Sequence, residues 1–308
     1  VPASRPTSRL RLFDRPYLLL SLTSLFWAGN IVLGRFVADR IPPVALAWTR
    51  WLGAFVLLSL LARRDLAADL PLLRAHWRRL LVLSALGVAG YTVLAYWALH
   101  YTEALNALLT QSVTPLVIAL WSFALHREAL TARQALGVAA SLAGVATIVT
   151  RGDVAALSRI EFNQGDVIFL FAIALYSLYA TLLRNKPPVA QTSLLAALVG
   201  LAVLLLTPAL VWEASEGRVM AFDGVSFAAL AYVIIFPSTL GYLFYNRGVE
   251  LIGANRSGPF FHLIPLFGAA LAILLLGERP GLYHAVGFAL VIAGVWTAAR
   301  TPPAAPAG

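Results

Sequence analysis

Apolar residues run along this chain in long blocks separated by short polar stretches. Ten blocks have the length of a membrane-crossing helix: 17–38, 42–62, 79–99, 103–125, 131–150, 165–184, 190–212, 224–246, 253–276 and 281–300. A spanning helix needs about 20 mostly apolar residues. Most connections are too short for anything but antiparallel neighbours. Two are longer and polar, 63–78 and 151–164, with room for short surface helices. The first block runs on into Asn30, Gly34 and Arg35 without a small-residue cleavage pattern, so it reads as a span rather than a cleaved signal. The pattern predicts an all-α polytopic membrane protein. It divides into a tail (1–16), a five-helix unit (17–150), a linker (151–164), a second five-helix unit (165–300) and a tail (301–308).

Composition agrees. Of the 308 residues, 60% are hydrophobic and 12% charged, and mean hydropathy is +0.81. A soluble domain is about 45–50% apolar and about 25% charged. With no cysteine, disulfides, thiolate nucleophiles and cysteine-bound metals are absent. The five histidines form no ligand-spaced pattern, so neither a metal nor another cofactor is expected. The net charge of +9 would suggest nucleic acid in a soluble chain. Here the basic residues sit between apolar blocks, where they set orientation, and no nucleic-acid partner is expected. With both termini inside, the inner segments hold 16 Arg and Lys and the outer ones 6. That bias predicts cytoplasmic N- and C-termini and supports an even count of ten helices.

The two halves match at an offset of 150 residues. Pro115 meets Pro265, Glu128 meets Glu278, Gly137 meets Gly287 and Gly144 meets Gly294, without a gap. Five crossings per half put the halves in opposite orientations, so the ten helices form two inverted five-helix repeats. Inverted repeats mark secondary transporters with a midplane site. On these residues, with Gln134, Gly277 and His284, the chain resembles the drug/metabolite transporter superfamily and its EamA-type 5+5 carriers. The opening helix, Phe26-Trp27-Ala28-Gly29-Asn30 to Gly34-Arg35-Phe36, is similar to the family's first helix, and Pro43 and Arg50 match its second. The resemblance implies a carrier in the bacterial inner membrane. The family includes amino-acid exporters, one of them for aromatic amino acids, as well as drug and other metabolite carriers.

Several residues within the spans carry candidate chemistry. Pro115 and Pro265 each orphan a backbone carbonyl, at Gln111 and Phe261, which needs another partner in hydrocarbon. Gln111, Ser112 and Thr114 cluster with the first kink and are candidate polar lining of the substrate cavity, Gln111 foremost. Pro237 and its repeat partner Gly87, with Gly90 and Gly241, are expected bending points, the alternative being close packing. Arg50 is the one cation well inside a span, at a cost of about 2.5–3.5 kcal/mol. It faces a cavity, where it could attract a carboxylate, or it pairs structurally. His262 either accepts a proton or hydrogen-bonds a substrate or a neighbour. No Asp or Glu lies at mid-helix. Glu103, Glu128, Glu250 and Glu278 lie at helix ends, where they can cap or pair with arginine. Trp27, Asn30, Tyr91, Tyr176, Tyr179 and Tyr242 are expected to wall a substrate cavity, while Trp97, Tyr232 and Tyr245 read as interface anchors. Gly137, Ser141 and Gly144, with Gly287 and Gly294, read as packing seams or a dimer contact. The oligomeric state is left as monomer or weak dimer.

These readings converge on a carrier that exports amino acids or related small metabolites by alternating access. A low-charge cavity suits zwitterionic solutes, aromatic ones included, and disfavours phosphorylated ones, which need several cations. A drug or other-metabolite exporter of the same fold is the alternative. A membrane enzyme is a remote one, since no nucleophile or acid–base pair stands at depth.

Overall fold

The computed structural model describes residues 12–102, 104–153, 163–276 and 281–300. These residues are helical and contain no strand. In chain order the helices are α1 (Pro16–Phe36), α2 (Pro43–Leu61), α3 (Arg63–Ala75), α4 (Trp77–Ala98), α5 (Ala104–Gln111), α6 (Thr114–His126) and α7 (Ala132–Val149). They continue with α8 (Gln164–Leu182), α9 (Gln191–Ser215), α10 (Gly224–Ile252), α11 (Ala254–Ser257), α12 (Leu263–Leu276) and α13 (Leu282–Ala299). Eight are long and apolar enough to cross a membrane: α1, α2, α4, α7, α8 with its closing 3₁₀ turn, α9, α10 and α13. The other two predicted spans are not continuous helices. Segment 104–126 is α5 and α6 with a break between them, and segment 254–276 is α11, a 3₁₀ stretch (Gly258–His262) and α12. Of the two polar connections, 63–75 forms α3. Residues 154–162 lie outside the described residues, as do Glu103, Glu278 and most of both tails.

Local chemistry sets the helix ends. Pro16 and Pro43 occupy first turns, where no N–H is needed. Thr131 with Gln134 and Asn163 with Asp166 form capping boxes. Asp223 caps α10 by accepting from the Ser226 N–H at 2.8 Å, and its other oxygen pairs with Arg40 at 2.7 Å. Ser226 first, then Arg40, hold that exposed carboxyl below its ordinary range. Gly253 turns the chain from α10 into α11 at φ +83°, a conformation that penalises a Cβ. Buried Glu213 caps α2 from another helix. Its two oxygens accept from the N–H groups of Val44 (3.2 Å) and Ala45 (2.7 Å), which ties α9 to α2.

The helix partners follow the internal repeat. α7 packs on α13, α2 on α9, and α6 on the 3₁₀ stretch before α12. α1 packs on α10, and its counterpart pair is α8 on α4. Self-paired counterparts plus one exchanged set are what a pseudo-twofold between the halves produces. Along the α7–α13 seam the backbones touch. A Cβ on Gly294 would lie 2.5 Å from the Gly137 carbonyl and the Ser141 N–H nitrogen, and one on Gly144 would lie 2.7 Å from the Gly287 carbonyl. The seam is therefore filled within one chain, which takes these glycines away from a dimer contact. Large apolar side chains such as Leu204, Val211, Phe171 and Ile292 remain on the outside, as lipid contact requires. Below, the N face is the end of the bundle where α1 begins and α10 ends.

Candidate functional site

Arg50 lies on α2, two turns in from Pro43, and is only 3% exposed. Its Nε donates to Ser238 Oγ at 2.7 Å. Its Nη1 donates to Asn30 Oδ1 at 3.2 Å and to the Tyr96 hydroxyl. The guanidinium also lies over the rings of Trp51 (4.8 Å) and Tyr96 (5.4 Å). Among the described residues no carboxylate pairs with it, and Nη2 has no hydrogen-bond partner. Each neutral acceptor is braced independently of Arg50. Ser238 Oγ donates to the Val233 carbonyl at 2.5 Å, and Tyr96 donates to Asn30 Oδ1 at 2.8 Å. The result is a positioned cation with neutral partners in a low-dielectric interior, where its Coulomb attraction for an anion is stronger than in water.

Beside it is a cavity of about 20 Å³, roughly the room for one water. Five of the predicted wall residues line it with Arg50: Trp27, Asn30, Tyr91, Gln111 and Tyr242. Tyr176 and Tyr179 do not line it but form the layer beneath. Tyr176 packs against Tyr91 (4.8 Å between centroids), Trp27 (5.6 Å) and Tyr245 (5.6 Å). Tyr179 donates to Asn246 Oδ1 at 2.9 Å. Beyond this layer, a vestibule of about 530 Å³ is bounded by Thr181, Arg184, Lys186, Asn246 and Glu250 at the N face. Along α8 the order is Phe169 at the chamber, Tyr176 and Tyr179 between, and Thr181 at the vestibule. Along α10 it is Tyr242, Tyr245, Asn246. An aromatic layer thus separates chamber from vestibule. Within it, the Tyr176 and Tyr245 hydroxyls and Asn246 Nδ2 are buried and have no hydrogen-bond partner among the described residues. Tyr245 is 1% exposed, and the Tyr232 hydroxyl donates inward to the Phe26 carbonyl at 3.1 Å. Both depart from the interface role read for them, because the α10 face that carries them turns onto α1. Trp97 stays exposed.

His262 is fully buried outside the chamber's lining. Its Nε2 lies 2.8 Å from the Ser112 carbonyl and its Nδ1 2.5 Å from Ser141 Oγ. A carbonyl only accepts, so Nε2 carries the proton and the Ser141 hydroxyl donates to Nδ1. Ser112 is the repeat counterpart of His262, so this bond joins the two broken spans at equivalent points. At the first break, the carbonyl that Pro115 orphans, on Gln111, accepts from Thr114 Oγ1 at 2.6 Å. Gln111 Nε2 in turn donates to Thr114 Oγ1 at 2.9 Å. Pro265 follows the 3₁₀ stretch of the second broken span.

The remaining bending candidates fall in two π-helical segments, Ala85–Gly90 in α4 and Ile234–Gly241 in α10. These segments correspond across the repeat. A Cβ on Gly87 would lie 2.1 Å from the Tyr179 ring, and the Gly87 carbonyl accepts from the Tyr242 hydroxyl at 2.7 Å. The Pro237 carbonyl accepts from Trp27 Nε1 at 3.2 Å. Each π segment therefore presents a carbonyl to the chamber's aromatic wall. Pro237→Ala should alter the rate of solute exchange more than the half-saturating concentration. Kinetics of exchange in proteoliposomes check this, and wild-type rates would refute it.

The Arg50 partners Tyr96 and Ser238 were not among the sequence candidates, nor was Asn246. Tyr96 lies one helical turn and a residue past Tyr91, and Ser238 follows Pro237. The signal available was an unpaired cation at depth, which demands nearby acceptors. Glu128 and Glu250, read as helix-end carboxylates, do pair with Arg184 and with Lys186 and Arg247 at the vestibule rim.

The profile of the EamA-like transporter family matches the sequence twice, over residues 15–150 and 165–300. An uncharacterised transporter of Bacillus subtilis, YyaM, is 27% identical over 92% of each chain. A probable terminal-alkyne amino-acid exporter of Streptantibioticus cattleyicolor is 27% identical over 90% of each chain. A solved crystal structure superposes with a TM-score of 0.68 at 18% identity, covering 91% of this chain and 96% of that one. At that identity the likeness is one of fold.

Proposed function

The chain belongs to the EamA-like transporter family, within the drug/metabolite transporter superfamily, and is a membrane transporter; from that premise we propose that it exports small zwitterionic amino acids, aromatic ones included. The observation that carries this reading is Arg50, a buried cation held by neutral acceptors beside a chamber walled by Trp27, Tyr91 and Tyr242. A solute carboxylate would supply the missing negative charge through Nη2, a charge-assisted bond. Aromatic faces would receive the ammonium and an apolar side chain. A phosphorylated solute would need further cations, and among the described residues Arg50 is the one cation that lines the chamber. The name of the Streptantibioticus relative is consistent with this class of cargo.

In the proposed cycle, solute enters from the N-face vestibule once the aromatic layer parts. It docks at Arg50 and leaves when the bundle closes behind it and opens at the other end. The two halves rock about the chamber, with the π segments of α4 and α10 as pivots. The charge bias of the loops supports cytoplasmic termini in a bacterial inner membrane. Transport, not catalysis, is the function this site supports.

The test is counterflow in liposomes. Purified protein is loaded with one unlabelled amino acid at a time and challenged with trace labelled phenylalanine or threonine, with and without a pH gradient. Accumulation is expected, and indifference to the gradient would assign facilitated exchange. A folded protein that accumulates no amino acid would overturn the cargo and favour a drug or another metabolite.

A further inference from the structure

We propose that an anionic phospholipid binds a groove at the N face between the start of α4 and the end of α8. Arg78 and Arg79 would hold its phosphate, and Val82 and Leu182 would flank its acyl chain. The groove has a volume of about 340 Å³ and is lined by Arg78, Arg79, Val82, Leu83, Leu182 and Asn185. None of these residues lines the chamber or the vestibule, so the site is independent of the solute path.

The polarity of the groove is that of an amphiphile. Both arginines are exposed and have no carboxylate partner among the described residues. Arg79 Nη1 donates to the Asn185 carbonyl at 2.6 Å, which fixes its guanidinium at the groove while leaving most of its donors unused. The Arg78 guanidinium lies 5.5 Å from the Trp77 ring centre. Val82 and Leu83 sit one helical turn deeper, directly below Arg78 and Arg79. Val82 is 50% exposed, so the apolar lower half is open to a chain. Trp77, 54% exposed, sets the level of the headgroups.

Charge selects the lipid. The preceding helix α3 keeps Leu73 buried while Arg63, Arg64 and Arg74 are exposed. Of its two acids, Asp69 already accepts from the Ala190 N–H at 2.9 Å. Three arginines against two acids on this helix, beside Arg78 and Arg79, leave the surrounding surface net positive, which favours an anionic headgroup over a zwitterionic one. A free anion would satisfy the arginines but leave the apolar floor uncovered, whereas a phospholipid covers both.

The experiment uses the full chain in detergent, titrated with mixed micelles of phosphatidylglycerol or phosphatidylcholine. Lipid retention is read by native mass spectrometry and unfolding by a thermal scan. Phosphatidylglycerol should be retained in preference and raise the unfolding midpoint. Replacing both arginines, Arg78→Gln with Arg79→Gln, should weaken its retention about 30-fold. Arg63→Gln with Arg64→Gln, on the same face but outside the groove, should weaken retention clearly less than the groove pair does. Val82→Asn, with both arginines intact, should also lower retention. Equal retention of the two lipids would overturn the proposal, as would equal loss in both arginine pairs. An equal midpoint shift from inorganic phosphate would assign a free-anion site instead and overturn the lipid.

Discussion

Arg50→Met is expected to lower exchange of carboxylate-bearing solutes at least about 30-fold while the protein still folds. The first half of this result follows from the site. Truncating one partner of a buried, hydrogen-bonded charge pair costs about 2–5 kcal/mol, and in the proposed complex the other partner is the solute's carboxylate. The second half follows from what Arg50 leaves behind. Tyr96 remains bonded to Asn30, and Ser238 to the Val233 carbonyl. No acceptor depends on the guanidinium alone, and a buried cation without a counter-ion burdens the fold. Replacing such a charge with an apolar side chain of similar reach is neutral or stabilising in many proteins. Thermal unfolding and counterflow, measured on one preparation, separate the two halves. A structural arginine would show the opposite pair: a lower midpoint with exchange preserved in whatever protein survives. Arg50→Lys is expected to retain only part of the activity, because a point charge on a flexible stem cannot serve Ser238, Asn30 and Tyr96 together while leaving a donor for solute.

The architecture was legible in the sequence because membranes restrict it. Backbone groups in hydrocarbon must be satisfied internally, so apolar blocks of this length read as helices. The matched Pro115 and Pro265, Gly137 and Gly287 gave the repeat. The breaks within segments 104–126 and 254–276 were legible only as kinks, since a proline says that a bond is lost but not how the chain refills it. At Gln111 the refill is Thr114, and at Ser112 it is a histidine 150 residues away. The site was legible in part. Tyr91 and Tyr242 could be picked as deep aromatics, but depth does not distinguish the chamber wall from the layer under it, where Tyr176 and Tyr179 lie. The rotation of α10 that buries Tyr245 is set by packing on α1, and no local pattern encodes it. The π segments were invisible for the same reason: an extra residue per turn is a property of backbone bonding, and Gly87 or Pro237 signals only that a deviation is tolerated.

Gly294→Val is expected to remove folded protein altogether, whereas Gly224→Ala leaves stability unchanged. At Gly294 the first added carbon would stand 2.5 Å from both the Gly137 oxygen and the Ser141 nitrogen. Both are backbone atoms of α7, so no rotamer change relieves the overlap, and the helices must separate along their length. Overpacking of this kind costs about 1–3 kcal/mol where side chains can move, and more where they cannot. Separation has a second consequence. Ser141 carries the hydroxyl that bonds His262 Nδ1, and His262 Nε2 holds the Ser112 carbonyl at the break in the other span. Moving α7 away would break the first of these bonds and strand a polar group in hydrocarbon. At Gly224, by contrast, an added Cβ would meet nothing within 4 Å. Yield of monodisperse protein and the unfolding midpoint check the pair. A Gly294→Val protein that melts like wild type would mean that α7 and α13 do not touch along this seam. The glycines would then be available to a second copy of the chain, and dimerisation through them would have to be measured directly.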